Sequence, residues 1–144
     1  MRQEQLVYAL YGASNTGKTT TLRLLAKKLE TVALTKDEIP TSGDFVAMFE
    51  LKGSNIAIVS AGDNKHVIKK GLEALGKISR YDILFCASRS RGQTTHFLTN
   101  TFKKQQLRWV TNMYIYGKSK EQADLCNESM SEFLFKSLLL ELRT

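Results

Sequence analysis

The stretch LVYALYGASNTGKTTTLRLLAKKLE, residues 6–30, decides the fold prediction for this chain. Its first six residues, 6–11, form a short apolar run that is typical of a buried parallel strand. A glycine-containing turn follows, and from Lys18 to Glu30 the apolar side chains recur at helical spacing. The sequence therefore predicts a strand, a tight loop and an amphipathic helix in direct succession.

The loop between the predicted strand and helix fits the pattern G-x-x-x-x-G-K-[ST] at every fixed position. Gly12 and Gly17 let the backbone turn tightly and approach a phosphate chain closely, and the successive N–H groups then form a concave anion site. Lys18 supplies a positive charge for the β- and γ-phosphates, and Thr19 offers a hydroxyl group to Mg²⁺. The residues expected to cradle the phosphates are Gly12, Ala13, Ser14, Asn15, Thr16, Gly17, Lys18, Thr19 and Thr20.

Because the pattern lies between a predicted strand and a predicted helix, residues 5–30 resemble the P-loop NTPase superfamily. The resemblance implies a three-layer α/β fold with a mainly parallel sheet, helices on both faces, and the nucleotide at the carboxyl ends of the strands. It also implies ATP or GTP as the ligand, together with Mg²⁺. The family's guanine-reading motif, N/T-K-x-D, would follow a strand that ends near Ala87, where residues 88–91 read SRSR. ATP is therefore the expected nucleotide.

Strands and helices alternate along the rest of the 144 residues, which indicates a single domain, residues 1–144, with both faces of its sheet covered. Two β-rich runs joined by a short glycine-containing link predict a hairpin that places one antiparallel strand at the sheet edge. The hairpin runs are 45–51 and 55–59, the other expected strands are 31–34, 81–87 and 109–116, and the expected helices are 64–75, 94–106 and the segment from 119 onward. Capping-box patterns at Ser119 and Ser129 predict that this last helix breaks near Asn127.

The order of elements after the first helix is similar to a GTPase-type switch layout, with a loop threonine, a hairpin and then a short glycine turn. This resemblance implies Thr41 as a Mg²⁺ ligand. The strand 55–59 ends without a carboxylate, and the first one beyond it is Asp63. Asp63 is therefore a candidate for holding Mg²⁺ through a water molecule or for positioning the attacking water. An equally supported interpretation is that Asp63 caps the helix that follows it.

Two arginines follow the predicted strand 81–87 at its carboxyl end, where ligands bind in such sheets. Arg89 and Arg91 are candidate catalytic residues because guanidinium groups can neutralise the charge that develops on a transferring phosphate. Binding of a separate anionic partner is the alternative. We also expect the Gly117–Ser119 loop to flank the base, with the stem of Lys118 packed on the ring.

The formal net charge of +7 is unevenly distributed, since residues 83–120 contain no Asp or Glu but seven Lys or Arg. This basic 89–120 region suits anionic partners, including nucleic acid. The loops 35–43 and 60–66 are candidate surfaces for a protein partner. No apolar run is long enough to span a bilayer, and no signal peptide is recognised, so we expect no membrane partner and a cytoplasmic protein with buried free thiols at Cys86 and Cys126.

Three functions remain open from the sequence. The first is a Mg²⁺-dependent NTPase, with ATP preferred over GTP, that hydrolyses the β–γ phosphoanhydride. The second is a small nucleotide or small-molecule kinase, although the chain is short for a lid and an acceptor domain. The third is a non-catalytic nucleotide- or nucleic-acid-binding module.

Overall fold

A five-stranded sheet lies at the centre of the fold. The structure, a computed structural model, describes residues 4–13, 16–35, 37–61, 68–73, 80–89, 92–117 and 119–143. Its strands are β1 (Leu6–Tyr11), β2 (Val46–Leu51), β3 (Ser54–Val59), β4 (Ile83–Ser88) and β5 (Leu107–Thr111). Their order across the sheet is β2-β3-β4-β1-β5, and every neighbouring pair is parallel except β2 and β3. The predicted mainly parallel sheet with an antiparallel hairpin at its edge is thus confirmed.

Helices cover both faces of this sheet. They are α1 (Lys18–Glu30), α2 (Gln93–Thr101) and α3 (Lys120–Glu141), with a 3₁₀ turn at Lys104–Gln106, and residues 68–73 are also helical. Successive residues of β1 pack on opposite faces, because side chains alternate along a strand. Tyr8 belongs to a core cluster with Leu22 of α1 and Leu134 of α3, whereas Val7 belongs to a second cluster with Leu98 of α2. Each cluster removes apolar surface from water, which is the main favourable term in folding.

The hairpin β2–β3 closes through Lys52 and Gly53, whose φ angles are 54° and 79°. Positive φ at both central residues belongs to the two-residue turn whose twist matches that of the flanking strands. At the other end of the hairpin, the amide of Ser60 donates to the carbonyl oxygen of Phe45 over 3.1 Å. The residues just before β2 therefore lie at the same edge of the sheet as the carboxyl ends of β1, β3 and β4.

The last helix, α3, differs from its prediction. Ser119 is the N-cap in a capping box with Gln122, as predicted, but the helix continues without a break through Asn127 and Ser129. The local pattern at Ser129 is overridden because α3 packs along α1, where Glu128 and Glu132 both form salt bridges with Lys28. The hydrogen bond of Lys28 with Glu128 contributes most to a raised pKa of Lys28, and the one with Glu132 contributes next.

Three other element boundaries also differ. α2 ends at Thr101 and not at 106, because Phe102 adopts an extended backbone and buries its ring in the second core cluster. β5 covers Leu107–Thr111 and not 109–116, because the side chain of Asn112 turns toward the loop after β1. In place of the expected strand at 31–34, only Leu34 pairs, through an isolated bridge.

Cys86 and Cys126 are free thiols and are buried, as expected. Burial raises the pKa of Cys86 to about 12, so this thiol stays protonated at neutral pH. Within the described ranges, none of the helices combines the length and the apolar character needed to cross a membrane.

Candidate functional site

The loop between β1 and α1, residues 12–17, lies at the carboxyl edge of the sheet and is called here the glycine-rich loop. Ser14 and Asn15 fall outside the described residues. The amide of Gly12 donates to the carbonyl oxygen of Ser88, the last residue of β4, over 3.1 Å. The loop is thus fixed between the carboxyl ends of two neighbouring parallel strands.

The Lys18 side chain is buried at the base of this loop, with only 6% of the residue exposed. Its ammonium group donates to the carbonyl oxygens of Gly12 at 2.6 Å, Ala13 at 3.2 Å and Ser88 at 3.1 Å. Burial of an ammonium group is costly unless hydrogen bonds compensate it. These carbonyl groups hold the positive charge at the junction of β1, β4 and α1.

The amino terminus of α1 has no anionic group of its own. Gly17 is the N-cap residue and has no side chain with which to cap the helix, and the first turn contains no Asp or Glu. The first amide groups of a helix have no partner within the helix and carry the positive end of its dipole. An anion at this end, close to the Lys18 ammonium group, would accept hydrogen bonds from these amide groups and would interact favourably with the positive end of the dipole.

Asn112, the residue directly after β5, contacts the glycine-rich loop. Its Nδ2 donates to the carbonyl oxygen of Thr16 over 2.6 Å, and the Thr16 hydroxyl in turn donates to the carbonyl oxygen of Ala13 over 2.8 Å. Asn112 is 8% exposed, and its Oδ1 is the one buried side-chain polar atom without a hydrogen-bond partner among the described residues. Sequence analysis missed this residue because only the strand order shows that β5 lies beside β1.

The loop is also approached closely from α3. Gly17 has a φ of +82°, and a Cβ at this position would lie 3.2 Å from Cγ of Asn127 and closer still to its Oδ1. The same Oδ1 accepts a hydrogen bond from Thr21 over 3.3 Å. The second glycine of the motif is therefore required both by its backbone conformation and by the close approach of α3.

Thr19 in the first turn of α1 contacts a carboxylate that the sequence analysis did not single out. Its hydroxyl donates to Oδ1 of Asp44 over 3.0 Å. Arg23, one turn further along α1, donates to the carbonyl oxygens of Pro40 at 2.9 Å and Gly43 at 2.5 Å. The same face of α1 thus holds the segment 40–44 against the glycine-rich loop. The sequence position of Asp44, directly before the predicted hairpin run 45–51, could have identified it. An antiparallel strand begins at the edge of the sheet where its parallel neighbours end, so the residues before β2 lie at the same edge as the glycine-rich loop.

The other predicted site residues are placed as follows. Arg89 directly follows Ser88, so it lies beside the glycine-rich loop, and its backbone oxygen accepts from Thr95. Thr20 and Thr41 are exposed, and Thr41 belongs to the segment that Arg23 holds. Asp63, Arg91 and Lys118 fall outside the described residues, as do residues 64–67 and 74–75 of the predicted helix 64–75, whereas residues 68–73 are helical.

The strand β4 separates the end of β3 from β1. Because β4 lies between β1 and β3, Ser60 is not on a strand that neighbours the glycine-rich loop. Ser60 approaches this site through Asp44, whose Oδ1 lies 3.4 Å from the Ser60 hydroxyl oxygen. The edge therefore brings together Lys18, Thr19, Asp44 and Arg89.

The oxygen donors at this edge fit a small hard cation. A hydroxyl group and a carboxylate are the protein ligands that Mg²⁺ accepts, usually only one or two of them, because it keeps several waters and binds substrate phosphates. No group of three or more His, Cys, Asp or Glu residues able to hold a metal occurs in the described part of the chain. No family model, curated protein or solved structure matches this chain.

Proposed function

We propose that this chain is a P-loop protein that binds a nucleoside triphosphate, with ATP preferred, together with Mg²⁺, and hydrolyses the β–γ phosphoanhydride. The observation that carries the proposal is the buried ammonium group of Lys18. It lies at the carboxyl edge of the sheet, at the start of a helix whose N-cap residue is a glycine, in a segment whose sequence fits the phosphate-binding pattern.

The geometry supports exchange of the ligands around Lys18. Carbonyl oxygens are neutral acceptors, whereas phosphate oxygens carry charge and form stronger hydrogen bonds with an ammonium group. A triphosphate in the loop would therefore replace some of the carbonyl contacts of Lys18 with charge-assisted ones. It would also accept hydrogen bonds from the first amides of α1, near Thr19 and Thr20.

For hydrolysis, charge that develops on the γ-phosphate must be neutralised and a water molecule must be held in line. Mg²⁺, when bound, would neutralise part of that charge. The Thr19 hydroxyl is the proposed metal ligand of the loop, with Thr41 and Asp63 as further candidates. Arg89 follows the strand next to β1, so its guanidinium group is the proposed additional positive charge, with Arg91 beside it in sequence.

The experiment is thermal unfolding with ATP, GTP, ADP or inorganic triphosphate, each with Mg²⁺. A ligand that binds only the folded state stabilises it by about 2.7 kcal/mol at a concentration of 100 Kd. We expect wild type to be stabilised by ATP and by inorganic triphosphate, and Lys18→Met to lose both effects while keeping an apolar stem in the loop. Lys27→Met is the control, because Lys27 lies on the same helix and only pairs with Glu30 at the surface.

The outcome that contradicts the proposal is an equal ATP stabilisation of wild type and Lys18→Met. Circular dichroism of both variants shows whether the fold is retained. Transfer of the γ-phosphate to an added acceptor, with no hydrolysis in its absence, would instead favour a kinase.

A nucleic-acid-binding function has one specific observation in its favour. In the acid-free stretch 83–120, Trp109 and Tyr116 are exposed, at 38% and 78%. Exposed aromatic rings within a basic region suit stacking of unpaired bases. Salt-sensitive binding of a single-stranded oligonucleotide, with quenching of the fluorescence of Trp109, would support this function.

A further inference from the structure

The strand β3 ends without a carboxylate at the edge where the proposed triphosphate binds. Its last residue is Val59, and Ser60 follows. The Ser60 hydroxyl is buried in backbone contacts, since it accepts from the amide of Phe45 over 2.7 Å. A metal held by the Thr19 hydroxyl would therefore find no negative charge on β3 itself.

The hairpin supplies that negative charge from its other strand. Asp44 stands two residues before β2, and the antiparallel pairing places it beside the end of β3. One oxygen of its carboxylate contacts both the Thr19 hydroxyl, at 3.0 Å, and the Ser60 hydroxyl, at 3.4 Å. Asp44 itself is exposed and lines an open cavity of about 340 Å³, so ligands can reach it from solvent.

The position of Asp44 is fixed by the segment that precedes it. Arg23 donates to the backbone on both sides of Thr41 and Ser42, and its guanidinium group lies 6.0 Å from the centre of the Phe45 ring. Thr19 and Arg23 are four residues apart, so they project from the same face of α1. This face of α1 therefore holds Asp44 close to the first turn of the helix.

We propose that Asp44 is the carboxylate of the metal site, and that it holds Mg²⁺ beside Thr19, directly or through a bound water. This inference rests on the proposed function, because the metal arrives with the phosphate chain. It assigns to Asp44 the role for which the sequence had offered Asp63 and Thr41. A carboxylate that accepts from the Thr19 hydroxyl also orients that hydroxyl, so that its lone pairs are available to the metal.

The test compares nucleotide affinity with and without metal by isothermal titration calorimetry. Wild type, Asp44→Asn and the control Glu38→Gln are titrated with ATP in excess Mg²⁺ and in EDTA, and Mn²⁺ binding to each ATP complex is followed by electron paramagnetic resonance. Glu38 is an exposed carboxylate six residues earlier on the same segment. The asparagine variant keeps the size of Asp44 and an oxygen for the Thr19 hydroxyl, so a loss of folding is not expected.

We expect Asp44→Asn to reduce the affinity of the ATP complex for Mn²⁺ by about 10- to 100-fold, as loss of an orienting carboxylate does in other metal sites. ATP affinity in EDTA should stay at the wild-type value, and Glu38→Gln should behave as wild type throughout. Unchanged Mn²⁺ binding by Asp44→Asn overturns this assignment alone. If wild type binds no nucleotide with or without metal, the proposed function and this assignment both fail.

Discussion

Replacement of Gly17 by alanine tests how the glycine-rich loop is held. Gly17 and Gly43 both have a left-handed φ, at +82° and +81°, but their surroundings differ. A Cβ at Gly43 meets nothing within 4 Å, whereas a Cβ at Gly17 collides with the amide of Asn127. The Gly43→Ala variant therefore isolates the cost of the left-handed backbone, and Gly17→Ala adds the collision to it.

The magnitudes follow from these two terms. A left-handed conformation costs a residue with a Cβ about 1–2 kcal/mol, partly offset by the lower entropy of the unfolded alanine chain, so Gly43→Ala should destabilise by about 1 kcal/mol. Displacing Asn127 breaks its hydrogen bond with Thr21, which costs about 1 kcal/mol more. Forcing Asn127 away from its preferred rotamer adds roughly 0.5–1.5 kcal/mol. We therefore expect Gly17→Ala to destabilise by about 2.5–3.5 kcal/mol.

Equilibrium urea unfolding of the two single variants measures the difference directly. A double-mutant cycle then tests whether the extra destabilisation of Gly17→Ala comes from Asn127. In an Asn127→Ala background, Gly17→Ala should lower the free energy of unfolding by no more than Gly43→Ala does. If the two glycine variants lose the same stability to within about 0.5 kcal/mol, the close approach of α3 to Gly17 does not contribute to the free energy of unfolding, and this explanation is wrong.

Two further predictions concern turnover and pH. Under the proposed function, Asp63→Asn, Arg89→Ala and Arg91→Ala should each lower ATP turnover more than ATP affinity. If either arginine neutralises the charge of the transition state, its replacement should lower turnover by roughly 100-fold. If all three variants keep wild-type turnover in steady-state kinetics, the catalytic assignment fails and only nucleotide binding remains. The hydrogen bond from Lys28 lowers the pKa of Glu132, so wild type should be more stable than Glu132→Gln at neutral pH and should lose this advantage as the pH falls through that lowered pKa. Thermal unfolding between pH 7 and pH 3 checks this, and an advantage that does not change with pH would contradict it.

Local patterns predicted the parts of the fold whose interactions are close in sequence. The strand, loop and helix of residues 6–30 are correct to the residue at both ends, because burial periodicity and glycine positions encode each of them locally. The hairpin and the capping box at Ser119 were predictable for the same reason. The break near Asn127 was wrong, because a local capping pattern cannot compete with the contacts that α3 makes along α1.

The parts that could not be predicted depend on the order of the strands. No local signal places β5 beside β1, so the contact of Asn112 with Thr16 could not be foreseen. Asp44 was not predicted because a metal-binding carboxylate is expected at the end of β3. In this fold the carboxylate at that edge precedes β2, the antiparallel partner of β3. Half of the proposed site thus follows from a contiguous motif, and the other half from pairings between distant segments.

The central position of β1 has a consequence for how the chain acquires its fold during synthesis. β1 leaves the ribosome first, yet its two neighbours begin only at Ile83 and Leu107. The hairpin β2–β3 can form early, since hairpins close within microseconds, but the nascent β1 must stay without sheet partners until β4 appears. Ligand binding at the glycine-rich loop can therefore assist only the last steps of folding. A newly made chain that stalls before β4 would expose an apolar strand, which makes it a natural client for chaperones.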